Sequence, residues 1–219
     1  MPVEVKICGL TTAPALDVAL AEGADFVGLV FYPKSPRNIE LDEASRLAER
    51  ARSAGTAKVV ALLVDPSDEL IADIMDRVRP DIVQLHGHES VARTGALRRL
   101  AGVPIMKAVS VQTRGDVTAS DAYLASGSAD ILLYDAKPPL GEGALPGGNG
   151  LAFDWTILDQ VERRTRFALA GGLTPQNVAA AIALTGAPIV DVSSGVETTP
   201  GVKDAELIRL FIRNAKAAK

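Results

Sequence analysis

Short apolar runs, each closed by a turn residue and followed by a stretch with helical spacing, recur about eight times along the 219 residues. No other feature restricts the fold so far. Such runs read as strands buried on both faces, and strands that alternate with helices return parallel to one another through right-handed crossovers. The runs fall at 3–8, 25–31, 58–64, 81–85, 103–109, 131–135, 167–170 and 189–192. Helical spacing follows at about 15–20, 42–54, 67–78, 90–100, 116–125, 154–161, 175–184 and 204–215, with Thr11 or Thr12, an Asp-Pro-Ser cap ending at Ser67, and Asp154 as starts and Gly23 as a stop. Composition does not shift along the chain and no linker interrupts it, so residues 1–219 are expected to form a single (β/α)8 TIM barrel domain rather than an open sheet.

The last two strands each break into a glycine turn: Ala170-Gly171-Gly172-Leu173 after the seventh and Ser193-Ser194-Gly195-Val196-Glu197 after the eighth. Glycine lets backbone N–H groups approach an anion closely, and in this architecture the loops after strands seven and eight hold phosphate. Tight strand-to-helix geometry is the plainer use of one such turn; a pair at these positions points to phosphate. Catalytic groups of a barrel sit at the carboxyl ends of its strands, which gives Cys8, Arg37, Asp65, His86, Ser110, Asp135, Gly171 and Ser194.

Each of these has a structural reading beside a functional one. Cys8 shares strand parity with Lys6 and Glu4, whereas Val3, Val5 and Ile7 face the other way, so the polar set points into the barrel if the apolar set meets the helices. Cys8 is then either a small buried hydrophobe or a thiolate that Lys6 or Arg37 assists. Asp135, ending a strongly apolar strand, is a loop anchor or a general acid whose pKa desolvation raises. Arg37, bracketed by prolines, is a solvated charge or a fork for a carboxylate. His86 holds a ligand or ties a loop. Asp65 and Asp191 read as structural pins, and Trp155 as core. The Gly- and Pro-rich loop over 136–151, with Gly147-Gly148 near its end, is long enough to suggest a functional element.

Composition removes several classes of function. Net charge is -4 with dispersed basic residues, which argues against nucleic acid as a partner. No apolar run is long enough to span a membrane and the start lacks a signal-peptide pattern, so a cytoplasmic protein is expected. One cysteine cannot form an internal disulfide, and with two histidines it makes an all-protein zinc site hard to assemble; no cofactor is expected.

Taken together the motifs resemble the phosphoribosylanthranilate isomerases of tryptophan biosynthesis. The likeness spans nearly the whole chain: Lys6-Ile7-Cys8-Gly9-Leu10-Thr11, Phe31 to Arg37, Val83-Gln84-Leu85-His86-Gly87, Leu133-Tyr134-Asp135, Pro146-Gly147-Gly148-Asn149-Gly150 before Phe153-Asp154-Trp155, Leu169 to Leu173 and Val190 to Glu197. The resemblance implies an Amadori rearrangement of an aminoaldose phosphate to an aminoketose. It implies Asp135 as the general acid on the ring oxygen and Cys8 as the base at sugar C2. Arg37 would hold the anthranilate carboxylate and His86 would line the site. The backbones of Gly171, Gly172, Ser194 and Gly195 would hold phosphate, and the loop at Gly147 and Gly148 would close over the sugar. The expected partner is this small phosphosugar, with the chain a monomer or homodimer. Tyr134 and positions 137–145 depart from the family's pattern. Related phosphosugar barrels fit less well: a histidine-pathway isomerase calls for aspartate at the first strand end, and a pentose-phosphate epimerase for metal-binding residues on several strands. A catalytically silent phosphate-binding barrel is the alternative from outside enzymology.

Overall fold

The runs are strands, and they close. In the computed structural model, which describes residues 2–55, 57–137, 147–161 and 166–218, β1 (Glu4–Cys8), β2 (Phe26–Phe31), β3 (Lys58–Leu63), β4 (Ile82–Leu85), β5 (Ile105–Val111), β6 (Ile131–Ala136), β7 (Phe167–Leu169) and β8 (Ile189–Val192) lie parallel in chain order. Pairing of β8 with β1 completes the barrel. Outside it run α1 (Ala13–Ala21), α2 (Leu41–Ala54), α3 (Asp68–Arg77), α4 (Val91–Ala101), α5 (Arg114–Ala125), α6 (Val178–Thr185) and α7 (Ala205–Ala217).

The termini follow the local chemistry of the sequence. Ser67 and Ser90 accept backbone N–H bonds at the starts of α3 and α4, and Thr113 forms a reciprocal capping box with Asp116, which begins α5 two residues ahead of the expected 116. Gly55, Gly102 and Gly186 end α2, α4 and α6 in the left-handed conformation. At the start of α1, Thr12 makes no side-chain cap; Pro14 fixes the first turn instead.

Three departures from the expected pattern matter. The segment after Asp154 is a 3₁₀ helix over Trp155–Gln160, not an α-helix, so the strict alternation fails at its sixth unit. Trp155 is partly buried against the core rather than within it. After β8 the chain forms a small antiparallel hairpin, β9 (Glu197–Thr199) and β10 (Val202–Lys203), before α7. Positions 138–146 of the long loop after β6, with Pro138, Pro139 and Pro146, lie outside the described residues.

Alternation along the strands separates two apolar layers. Val5, Ile7, Val27, Leu29, Val83, Leu85 and Leu132 face the helices, while Phe26, Val60, Ile82, Met106, Ile131, Leu133, Ala168 and Ile189 fill the barrel. Above that plug the inward positions turn polar. Lys6, Gln84, Asp135 and Asp191 are buried there, and Cys8, Val30 and Leu62 form a small cluster at the mouth. Tyr134 has the opposite parity from Asp135: its ring packs on Phe167 and its hydroxyl lies 3.4 Å from Ser120 Oγ, so it stays clear of the mouth.

Candidate active site

The inward faces of the strand ends line a cavity at the mouth of the barrel. Cys8, Arg37, His86, Asp135, Gly147, Gly148, Gly171, Gly172, Ser194 and Gly195 all line it. Asp65 and Ser110, although at strand ends, do not: Asp65 instead accepts the His88 N–H at 2.8 Å, and Ser110 is exposed.

Cys8 ends β1 beside an ion pair. Lys6 Nζ, two residues earlier on the same inward face, bonds Asp191 Oδ1 at 2.9 Å across the β1–β8 seam, where Lys6 and Asp191 are register partners. A β-carbon on Gly28 of β2 would lie 2.9 Å from Cys8 Sγ and 3.2 Å from Lys6 Nζ, so the missing side chain there makes the notch in which thiol and ammonium meet. Burial pushes the Cys8 thiol up, Lys6 pulls it down, and Asp191 adds to the rise; the thiol ends above its ordinary value. Burial lowers Lys6, but Asp191 and Cys8 outweigh it and keep the ammonium charged.

Across the cavity Asp135 is the last inward-facing residue of β6. Its Oδ1 accepts the Ala136 N–H at 2.8 Å, and its Oδ2 lies 3.3 Å from His86 Nε2. Gln84 Nε2 stands 3.0 Å from His86 Nδ1, and an amide donating to that nitrogen leaves the ring hydrogen on Nε2, aimed at Asp135. Gln84 Oε1 is buried without a partner among the described residues. The loop after β6 returns directly onto this pair: a β-carbon on Gly147 would sit 2.5 Å from His86 Nε2 and 2.8 Å from Asp135 Oδ2. Gly147 is glycine because the backbone covers the candidate acid at contact distance.

Arg37 is buried, which removes the solvated-charge reading. Its fork does clamp a carboxylate, that of Glu197: Nε to Oε1 and Nη2 to Oε2 are both 2.8 Å. Lys203 Nζ closes on the same carboxylate at 2.7 Å. Burial raises the Glu197 carboxyl, but the Arg37 bonds and the Lys203 charge hold it below the ordinary carboxylate range; burial also pulls Lys203 down against the pull of Glu197.

At the ends of β7 and β8, none of the described hydrogen bonds uses the N–H groups of Gly171, Gly172, Ser194 or Gly195. Four backbone donors without a partner among the described residues, lining one wall of a cavity, form an anion-binding concavity. Gly195 is confined as well, since a β-carbon there would collide with the Leu173 carbonyl.

Sequence reasoning missed the roles of Glu197, Lys203 and Gln84. It also passed over Gly28, although an isolated glycine inside a strand pattern signals close approach. Glu197 gave no such signal, because it meets Arg37 across 160 positions of chain.

The arrangement is a thiol and a carboxylate facing each other over a backbone anion cradle, with a buried guanidinium at the side. Comparison with known proteins identifies the family. Residues 5–214 match the family model described as N-(5'phosphoribosyl)anthranilate (PRA) isomerase. N-(5'-phosphoribosyl)anthranilate isomerase of Paramagnetospirillum magneticum is 52% identical over 219 residues, covering 100% of both chains, and that of Rhizobium meliloti 48% over the same span. Among solved structures, phosphoribosyl anthranilate isomerase of Thermus thermophilus superposes with a TM-score of 0.84 at 29% identity, covering 99% of this chain and 100% of its own. A further isomerase, solved in complex with reduced 1-(o-carboxyphenylamino)-1-deoxyribulose 5-phosphate, gives 0.80 at 35% identity and 98% coverage of each chain. With full-length identity near one half joined to this closed barrel, the chain belongs to the N-(5'-phosphoribosyl)anthranilate isomerase family.

Proposed function

We propose that the cavity carries out the Amadori rearrangement of N-(5-phosphoribosyl)anthranilate to 1-(2-carboxyphenylamino)-1-deoxyribulose 5-phosphate, with Asp135 and Cys8 as acid and base. One observation carries the assignment of roles: Cys8 and Asp135, the inward-facing ends of β1 and β6, face one cavity from different sides. A sugar held between them presents its ring oxygen to one and C2–H to the other. Asp135, protonated, gives its proton to the ring oxygen; the C1–O bond breaks as the anilino nitrogen donates its lone pair, leaving an open iminium ion. The Cys8 thiolate then takes the C2 proton, the released electron pair forms the C1=C2 bond, and the iminium is neutralised. The resulting enol picks up a proton at C1 and loses its hydroxyl proton to become the ketone. Each transfer needs a positioned group within hydrogen-bond reach, which is what strand ends supply.

In the same reading the N–H groups of Gly171, Gly172, Ser194 and Gly195 hold the phosphate, Arg37 holds the aryl carboxylate, and His86 acts mainly through Asp135. Gly147 and Gly148 cover the sugar and exclude water. All of these residues come from one chain, so turnover needs no second copy, although the Thermotoga maritima relative is described as dimeric. The reading places the protein in the cytoplasm, acting on a small phosphosugar. Support comes from the family match and from the product-like ligand bound by the 35% identical relative.

The test is loss of anthranilate-type fluorescence when freshly generated substrate meets the wild-type protein, Cys8→Ala or Asp135→Asn. Turnover by wild type with kcat reduced about 10³-fold or more in each variant, both still folded, is the expected result. Near-wild-type turnover in either variant would remove that residue from its role; no turnover by wild type would remove the activity.

A further inference from the structure

Arg37 is held more firmly than binding a ligand requires. A β-carbon on Gly9 would lie 2.6 Å from Arg37 Cδ, so the stem rests on the backbone that follows β1. A β-carbon on Gly148 would lie 2.7 Å from Nη1, so the guanidinium is pressed against the loop that follows β6, and Nη2 also reaches the Gly148 carbonyl at 3.3 Å. The Nε–Nη2 edge is filled by Glu197. Nη1 takes part in no described hydrogen bond, and Arg37 lines the cavity.

Glu197 is itself fixed. It begins β9, its Oε1 accepts from Lys203 of β10, and its Oε2 accepts from the Gly201 N–H at 3.2 Å in the turn between the two strands. Gly201 packs so closely on the Pro36 carbonyl, 2.5 Å from where a β-carbon would be, that the hairpin and the Arg37 loop form one block. Lys203 runs on to the Ser193 carbonyl at 3.0 Å, and Ser193 Oγ donates to the Cys8 carbonyl at 3.2 Å. The guanidinium is thereby tied to the strand end that carries the thiol.

The geometry points to Glu197 as the positioning residue that sets specificity for the substrate's aryl carboxylate: by filling one edge of the Arg37 fork, it leaves the Nη1 side as the donor surface facing the cavity. Charge supports the same conclusion. Arg37 and Lys203 carry two positive charges, Glu197 removes one, and the remainder matches a single carboxylate. Without Glu197 the fork could turn its better bidentate edge on the nearby phosphate, and two buried cations would compete for one anion. This inference rests on the reading of Arg37 as the carboxylate site.

The experiment compares two substrates across three variants. Phosphoribosylanthranilate and its analogue without the carboxylate are each prepared by condensing ribose 5-phosphate with anthranilate or with aniline, and kcat/KM is measured for both. In wild type the carboxylate should be worth about a hundredfold, the strength of a charge-assisted hydrogen bond. In Glu197→Gln that ratio should fall at least about tenfold, chiefly through KM on the anthranilate substrate, with the aniline substrate affected far less. The Glu197→Gln/Lys203→Met double variant, which leaves no unpaired lysine beside the glutamine, should lose the ratio in the same way. A hairpin that merely supports the fold lowers both substrates together and leaves the ratio intact in both variants; that outcome overturns the proposal. Arg37→Met separates the layers: if it abolishes the ratio while Glu197→Gln does not, the role of Glu197 is wrong, and if it too leaves the ratio unchanged, the carboxylate site lies elsewhere.

Discussion

Cys8 poses a problem that its neighbours only partly solve. In its proposed role as base the thiol must be deprotonated to act, yet burial lifts it and Asp191 lifts it further, while Lys6 and Lys203 oppose them. The sign follows directly. The thiol is neutral in the resting protein, the thiolate fraction grows as pH rises, and the limb of kcat/KM that reports Cys8 climbs with a midpoint above that of an ordinary thiol. Lys6→Met removes the nearest cation and should move the midpoint up, whereas Asp191→Asn removes the opposing anion and should move it down. Because the chain has one cysteine, thiolate absorbance against a Cys8→Ala blank reads the titration without turnover. Equal shifts, or none, would detach the ion pair from the thiol. Gly147 makes a second point at this scale. The methyl of Gly147→Ala would intrude on His86 Nε2 and Asp135 Oδ2, so activity should fall by about two orders of magnitude while the melting temperature stays near wild type, the loop being outside the packed layers. Unchanged kcat in that variant would mean the loop does not cover the acid during turnover.

Among the elements, the two ends of each strand do different work. At the amino ends a single device recurs: Asp25, Asp81 and Asp130, each just before β2, β4 or β6, accept the N–H of Val5, Val59 or Ile105 on the preceding strand at 2.7–2.8 Å. The carboxylate locks the register of a neighbouring pair at the barrel floor, away from the cavity. Asp81→Ala should therefore cost about 1–2 kcal/mol of stability, measured by denaturant unfolding, and leave kcat unchanged. A loss of kcat with stability intact would contradict this division. The strands were legible as short apolar runs, or for β1 as an alternation, and parity put Cys8, and strand-end position Asp135, at the mouth. Short elements were not. Residues 155–160 carry a helical start at Asp154 but too few residues to complete an α-helix, and the hairpin over 197–203 is announced only by Thr199-Pro200-Gly201, a turn signal whose flanking strands are too short to show periodicity. The Arg37–Glu197 pair had no local signal at all, since only barrel closure brings the loop after β2 against the segment after β8.

For the whole molecule, the most sparsely paired strand junction, β7 with β8, and the anion cradle coincide. β7 spans only Phe167–Leu169 and meets β8 at Ala168↔Ile189 and Leu169↔Val190, whereas β2 and β3 pair without a break from Phe26↔Lys58 to Phe31↔Leu63. The barrel is thus held most lightly where the Gly171-Gly172 and Ser194-Gly195 turns stand side by side, and an anion accepting N–H bonds from both turns would bridge the strands that the ladder joins least. Ligand binding stabilises a fold by mass action wherever it binds; its effect on local opening depends on where it binds. Inorganic phosphate at a hundred times its dissociation constant should raise stability by about 2.7 kcal/mol, or roughly 5–10 °C in melting temperature for a chain of this length. The gain in hydrogen-exchange protection should be largest at β7, β8 and the turns that follow them. Ser194→Asp places a carboxylate among the N–H donors on a partly exposed side chain, and should abolish both effects while the unliganded melting temperature moves little. Protection that instead appears around α2 or α3, or survives in Ser194→Asp, would put the anion elsewhere and leave the weak seam without its ligand. If protection does appear at β7 and β8, the phosphate that anchors the sugar also braces the two strands whose neighbours, β6 and β1, carry the proposed acid and base.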